Sequence, residues 1–335
     1  MMDPSNYMDE NWNMVGHAWA VDMLRHQVSR AETRQAYLFT GPPGIGRRTL
    51  ALRFAQALNC TDPTPAGNPC GRCDDCRRVQ ARQHADVTFV EAETEGGTLK
   101  VEQVREQRRL ISLKPFQAKY RVAIFLRFQE ANDAAANALL KTLEEAPAHA
   151  VLILTAESPE GLLPTIVSRC EVLRLHPVPL DAVQHWLEQR GAGTEQARLL
   201  AHVSGGCPGE ALRLMEDKSA LAYRGEKLNE LLALLPATRA QRFSYAEKLV
   251  RDKAAMRGVL MLWLSFWRDV LWRAGGASTP ISNIDHQQEI ESLSRRLTLP
   301  DATRLVEDLD LALRRLESNI NSRLLAEVLL LDWPR

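Results

Sequence analysis

Two groups of residues in this chain have the types and spacing that do chemistry. The first is a glycine-rich turn, GPPGIGRRT, in which Gly41, Gly44 and Gly46 precede Arg47, Arg48 and Thr49. Glycines so placed let backbone N–H groups approach phosphate oxygens at a helix N-terminus. In the pattern G-x-x-x-x-G-K-S/T, the lysine reaches the outer phosphates and the hydroxyl ligates Mg2+. Arg47 stands at the lysine position and Arg48 at the hydroxyl position, while Thr49 comes one residue late. A guanidinium pairs with phosphate but is no isostere of an ammonium, and it cannot ligate a metal.

A hydrolytic site also needs acids at the end of a neighbouring strand, to hold Mg2+ and to position water. The run RVAIFL (121–126) is followed by Arg127 and Phe128. Neither coordinates a cation or accepts a proton. With both metal-site elements degenerate, the sequence predicts no ATP hydrolysis and leaves only the backbone groups of the loop to hold a nucleotide.

The second group is Cys60, Cys70, Cys73 and Cys76, while Cys170 and Cys207 stand alone. Four soft ligands at this spacing suit tetrahedral zinc, and a closed four-cysteine site has no open position for substrate. The expectation is one structural Zn2+ pinning an insertion at about residues 60–76. Arg72, Arg77 and Arg78 flank it in the manner of a nucleic-acid zinc ribbon, whereas Asp74 and Asp75 fit an ordinary solvated face. The eight histidines are scattered, and none is paired with a metal-binding or nucleophilic partner.

These groups must be positioned by the elements around them. Short apolar runs at 36–40, 86–92, 121–126, 150–156 and 171–175 alternate with helical patterns. Continuously apolar strands separated by helices predict a parallel sheet covered on both faces, an α/β core of the nucleotide-binding type. The prolines of HPVPL (176–180) break this pattern. The division that follows is an α/β core over 1–176, a small helical domain over 177–217 and an all-helical domain over 218–335. In the last, MRGVLMLWLSFWRDVLWRAGG is apolar on most sides and must be buried on most sides, in a core or against another subunit. Trp263, Trp267 and Trp272 have apolar neighbours, which favours packing over base stacking.

At 335 residues the chain exceeds what one core supports. Lys+Arg and Asp+Glu balance at 42 each, so no global field attracts nucleic acid. The opening MMDPSNYMDENWN is polar and acidic, and no apolar run approaches the roughly 20 residues of a membrane span. A cytoplasmic protein is expected.

The segment NDAAANALLKTLEEAP (132–147) puts Ala136, Leu139, Leu140 and Leu143 on one helical face, with Lys141, Glu144 and Glu145 on the other. Together with SRC (168–170), it resembles the core of bacterial clamp-loader subunits of the AAA+ superfamily. VGHAWAVDML, the cysteine module, WRDVLWRAGG, SNIDH and NINSRLLAEVLLLDW extend the resemblance over nearly the whole chain. ATP-hydrolysing gamma-type members keep the lysine, the threonine and a strand-end Asp-Glu pair. This chain has none of these yet keeps SRC, so it is similar to the delta-prime branch of DNA polymerase III.

That resemblance implies an AAA+ core followed by a helical lid and a helical collar, in a subunit that does not itself turn over ATP. It implies gamma/tau-type and delta-type partners, with the sliding clamp and primer-template DNA met through the complex. Arg169 would act as an arginine finger in trans on a neighbour's ATP. Where ATP-binding relatives carry an arginine that reads the γ-phosphate, SGGCPGEAL presents Gly209. Two other readings are an ATPase using Arg47 in place of lysine and a stand-alone zinc-ribbon DNA-binding factor.

Overall fold

The structure, a computed structural model, describes residues 10–64, 66–94, 96–317 and 321–334. Residues 1–9 of the acidic opening segment and the start of NINSRLL lie outside those residues. Two compact units form: residues up to Trp186 with Gly206–Glu210, and Leu187–Gly205 with Ala211 onward.

In the first unit the elements run α1 (Ala18–Arg30), β1 (Ala36–Thr40), α2 (Arg47–Asn59), α3 (Asp74–Gln80), β2 (Val87–Val90) and α4 (Val101–Ile111). They continue with β3 (Arg121–Phe125), α5 (Asp133–Glu145), β4 (Ala150–Ala156), α6 (Pro164–Val167) and β5 (Glu171–Arg174). All neighbouring strands pair in parallel, in the order β2-β3-β4-β1-β5. The five apolar runs are the five strands, with ends shifted by a residue or two.

Alternation along each strand divides the side chains between two cores. Tyr37, Phe39, Val122, Ile124, Val151 and Ile153 face a cluster that includes Leu24 of α1 and Leu50 and Phe54 of α2. Leu38, Ala123, Phe125, Leu152 and Leu154 face the opposite cluster, with Val104 of α4 and Leu139 and Leu143 of α5. Tyr37 meets Phe54 edge-on at 4.8 Å. Burying an aromatic or leucine side chain in this way contributes about 1.5–3 kcal/mol. Because β1 lies between β4 and β5, the turn after it opens among the carboxyl ends of the strands, where open parallel sheets place ligands.

The chain continues through α7 (Leu180–Glu188), α8 (Thr194–Val203) and α9 (Pro208–Glu216). It then forms α10 (Lys218–Leu234), α11 (Arg239–Leu249), α12 (Lys253–Ala274), α13 (Gln287–Arg296), α14 (Leu299–Glu317) and α15 (Ser322–Leu331). The apolar surplus of α12 is absorbed inside this unit: Met256, Leu260, Trp263, Phe266 and Trp267 are buried with Leu228 of α10, Leu309 of α14 and Leu330 of α15. Met261 of α12, Leu311 of α14 and Leu324 and Val328 of α15 remain exposed.

Two buried polar hubs fix these helices. The Arg242 guanidinium donates to the carbonyls of Leu234 and Leu235 at the end of α10, and to those of Leu330, Trp333 and Pro334 at the end of α15. A cation there complements the negative ends of two helices. The fully buried Asp269 accepts from the backbone and side-chain N–H groups of Asn283 at 2.8 and 2.7 Å, and Arg224 donates to Asp285 at 2.6 Å. The segments WRDVLWRAGG and SNIDH meet through these bonds.

Candidate functional site

The turn between β1 and α2 takes backbone angles that favour glycine: Gly41, Gly44 and Gly46 have φ of 146°, 75° and 112°. Its surroundings are unlike an open phosphate cradle. Gly209 donates its N–H to the Gly44 carbonyl at 2.7 Å, and a Cβ at Gly44 would fall 2.6 Å from the Glu210 nitrogen. The segment Gly206–Glu210 thus rests backbone to backbone on the turn. A side chain at 209 would also be crowded, its Cβ 2.8 Å from the Gly44 oxygen. Ile45 is buried, and its carbonyl accepts from Nε2 of His17 at 3.2 Å. Burial lowers the His17 pKa and keeps the ring neutral.

Arg47 opens α2 with its guanidinium partly buried, which lowers its pKa against the opposing pull of Glu157. Its Nη1 is buried with no hydrogen-bond partner among the described residues. Arg48 and Thr49 are exposed. Partial burial of its guanidinium and the nearby charges of Arg82 and Arg127 lower the Arg48 pKa, against the opposing pull of Glu91. The position of the Mg2+-ligating hydroxyl therefore carries a cation in place of a metal ligand.

Beyond β3, Arg127 adopts a left-handed conformation, with φ 50° and ψ 53°. Its N–H is held by the Thr155 hydroxyl at 3.0 Å. The guanidinium is clamped by Glu130 at 2.9 Å and Glu91 at 3.3 Å, and Glu91 also takes Arg82 at 3.0 Å. Phe128 is buried edge-on against Phe125, with ring centroids 5.7 Å apart. The acidic groups near this strand end are thus spent on arginines. Glu91 and Glu130 were invisible in the sequence because their role depends on side chains from separate elements.

The four cysteines converge: the Sγ atoms of Cys60, Cys70, Cys73 and Cys76 all lie within 4.8 Å of one another. A tetrahedron of Zn–S bonds of about 2.3 Å has edges of about 3.8 Å, so the cluster is compact enough for one ion. The backbone N–H groups of Cys70, Cys73 and Cys76 donate to the sulfurs of Cys60, Cys70 and Cys73 at 3.2, 3.3 and 3.4 Å. Such donors favour thiolates, the form that binds metal. The hydrogen bond from Cys76 draws the Cys60 thiol down to about 5, while that bond and burial push Cys76 up. The donor set fits zinc.

Around the cluster, Trp12 donates to Asn68 at 3.0 Å and His84 meets Asp75 at 3.1 Å, tying the module to the core. Arg72 pairs with Asp62 at 2.9 Å and Arg77 with Asp74 at 2.6 Å. Cys170 and Cys207 stand apart from the cluster, and burial pushes their thiols up to about 12 and about 11.

Arg169 lies between α6 and β5. Its Nη2 donates to Glu144 at 2.6 Å and its Nη1 to the Thr165 carbonyl at 2.9 Å. The side chain remains 37% exposed, and its other N–H groups carry no bond among the described residues.

Comparison with known proteins shows what this chain is similar to. The family model described as DNA polymerase III, delta subunit, matches residues 16–179, and its C-terminal counterpart matches residues 218–335. The DNA polymerase III subunit delta' of Pseudomonas aeruginosa is 36% identical over 231 residues, covering 66% of this chain and 69% of that one. The chain belongs to the DNA polymerase III delta-prime family. The delta' subunit of Bacillus subtilis, 27% identical, is matched over 92% of this chain and 93% of its own length. The tau subunit of Escherichia coli is 31% identical over 176 residues, 52% of this chain and 27% of the relative. Among solved structures, a gamma subunit-related protein of Thermotoga maritima aligns over 92% of this chain and 98% of its own, at 20% identity and a TM-score of 0.44.

Proposed function

We propose that this delta-prime family member is a subunit of the DNA polymerase III clamp loader that does not hydrolyse ATP. In this role it helps load the sliding clamp onto primer-template DNA. The observation that carries the reading is Arg127, which stands at the end of β3 and is ion-paired with both Glu91 and Glu130. A hydrolytic site needs free carboxylates there for Mg2+ and water. The contact between Gly209 and Gly44 supports the same reading, because the segment it brings in crowds the turn that would hold phosphate.

In this account residues 1–176 form the AAA+ core, 177–217 a helical lid and 218–335 a collar that assembles with gamma/tau-type and delta-type subunits. The cysteine module holds one structural Zn2+. Arg169 acts in trans, its guanidinium meeting phosphate oxygens of a neighbour's ATP. Among the described residues no helix is long and apolar enough to cross a membrane, and a cytoplasmic location fits a replication subunit. The zinc-ribbon alternative is disfavoured by the pairing of Arg72 and Arg77 with aspartates.

The test is reconstitution with gamma/tau-type and delta-type subunits, using wild-type chain and Arg169→Ala. Both should assemble, and the variant should lose hydrolysis at the adjacent site. An arginine finger is worth about a thousand- to a hundred-thousandfold in rate. Unchanged ATPase in a fully assembled variant would refute the trans role.

A further inference from the structure

We infer that Glu144 is a positioning residue for Arg169, fixing the guanidinium in the orientation from which it reaches the neighbouring subunit's phosphates. The inference rests on the proposed trans role of Arg169.

Glu144 and Glu145 end α5, and no basic residue lies in that last turn. Carboxylates at a helix C-terminus meet the negative end of the macrodipole and are unfavourable there. Glu144 instead finds its cation outside the helix, in Arg169 at 2.6 Å. With side chains 37% and 49% exposed, such a pair adds little to stability. A locally unfavourable carboxylate in a weakly stabilising pair calls for another reason.

Geometry supplies one. The guanidinium is held at both ends, Nη2 by Glu144 on α5 and Nη1 by the Thr165 carbonyl on α6. Two bonds from two elements fix the guanidinium plane and leave its other N–H groups for an oxyanion. Donors oriented before reaction need no reorganisation as charge develops. Arginine stays charged with or without a carboxylate, so Glu144 sets orientation rather than ionisation.

The experiment uses the reconstituted complex carrying Glu144→Ala, Glu144→Gln, Arg169→Ala or the Glu144→Ala/Arg169→Ala pair. The ATPase lost in Arg169→Ala defines the share of the site that Arg169 serves. Glu144→Ala should lower the kcat of that share about 10- to 100-fold with KM for ATP unchanged. Glu144→Gln, which keeps shape and one acceptor, should fall between. The double variant should be no slower than Arg169→Ala alone, since Glu144 acts through that arginine. Should Glu144→Ala fail to assemble, the isosteric Gln variant carries the same comparison. A full or raised rate in the Glu144 variants overturns the inference, as does a double variant well below Arg169→Ala. If Arg169→Ala itself keeps the full rate, the trans role fails and Glu144 loses its purpose with it. A slow Arg169→Ala beside an unaffected Glu144→Ala removes only the role of Glu144.

Discussion

Gly209 and Gly44 meet backbone to backbone, the N–H of one on the carbonyl of the other at 2.7 Å. The turn that carries phosphate in ATP-binding proteins is here engaged by the chain's own later segment. A Cβ at Gly209 would meet the Gly44 carbonyl, and one at Gly44 would meet the Glu210 backbone. A substitution at this contact must move the backbone of one strand of the pair.

Gly209→Ala is therefore expected to destabilise the chain by about 1–3 kcal/mol, the usual cost of overpacking a close contact. Urea denaturation compares the midpoints of the two proteins. An unchanged midpoint would mean that the contact is looser than its geometry.

The cysteine cluster should hold one zinc per chain. Elemental analysis of protein purified without chelator should find it, and Cys73→Ala should release it while the helices from α10 onward stay folded by circular dichroism. Cys170→Ala should keep its zinc, because that thiol is apart from the cluster. A metal-free wild-type protein would count against the site.

Asp86 gives a pH signature. Its carboxylate accepts from the backbone N–H groups of Phe116, Gln117 and Ala118 and from Arg121, at 2.7 to 3.0 Å. Burial alone would raise its pKa, but these donors prevail and hold it at about 2, against 3.8 when unperturbed. A group depressed by folding stabilises the protein above its unfolded pKa, and that contribution is lost as pH falls through the folded value. The contribution is about 1–2 kcal/mol. Asp86→Asn should be less stable than wild type at neutral pH, and the gap should close between about pH 4 and pH 2. A gap independent of pH would exclude this ionisation as its source.

Much of this was legible in the sequence, for identifiable reasons. β1, β3 and β4 read as continuous apolar runs because helices cover both faces of the sheet, and the cysteines announced their cluster by spacing alone. The clamp of Glu91 and Glu130 on Arg127, the four donors on Asp86 and the pairing of Glu144 with Arg169 were not legible. Each joins charged or backbone groups from separate elements, and the periodicity of one segment carries no record of its partner. The apolar residues on most sides of α12 left open a core or another subunit as their cover, and Trp263 and Trp267 pack in the core, as their apolar neighbours suggested, because α10, α14 and α15 surround them.

Assembly is expected to use the apolar residues left outside. Leu324 and Val328 lie one helical turn apart on α15, 58% and 51% exposed. Leu324→Glu with Val328→Glu should weaken co-purification with gamma/tau-type and delta-type subunits. Stability of the free chain should change by no more than about 0.5 kcal/mol for each exposed site. Undiminished assembly would move the interface elsewhere.

We propose that this delta-prime family member has no ATPase activity of its own, because Arg48, Arg127 and Phe128 leave no metal ligand and the nearby acids are held by arginines. Phosphate release from ATP by the purified chain with Mg2+, measured beside an Arg47→Ala variant from the same purification, tests it most directly. The same background rate is expected for both, whereas Mg2+-dependent turnover in the wild-type chain that disappears in Arg47→Ala would show that the chain hydrolyses ATP.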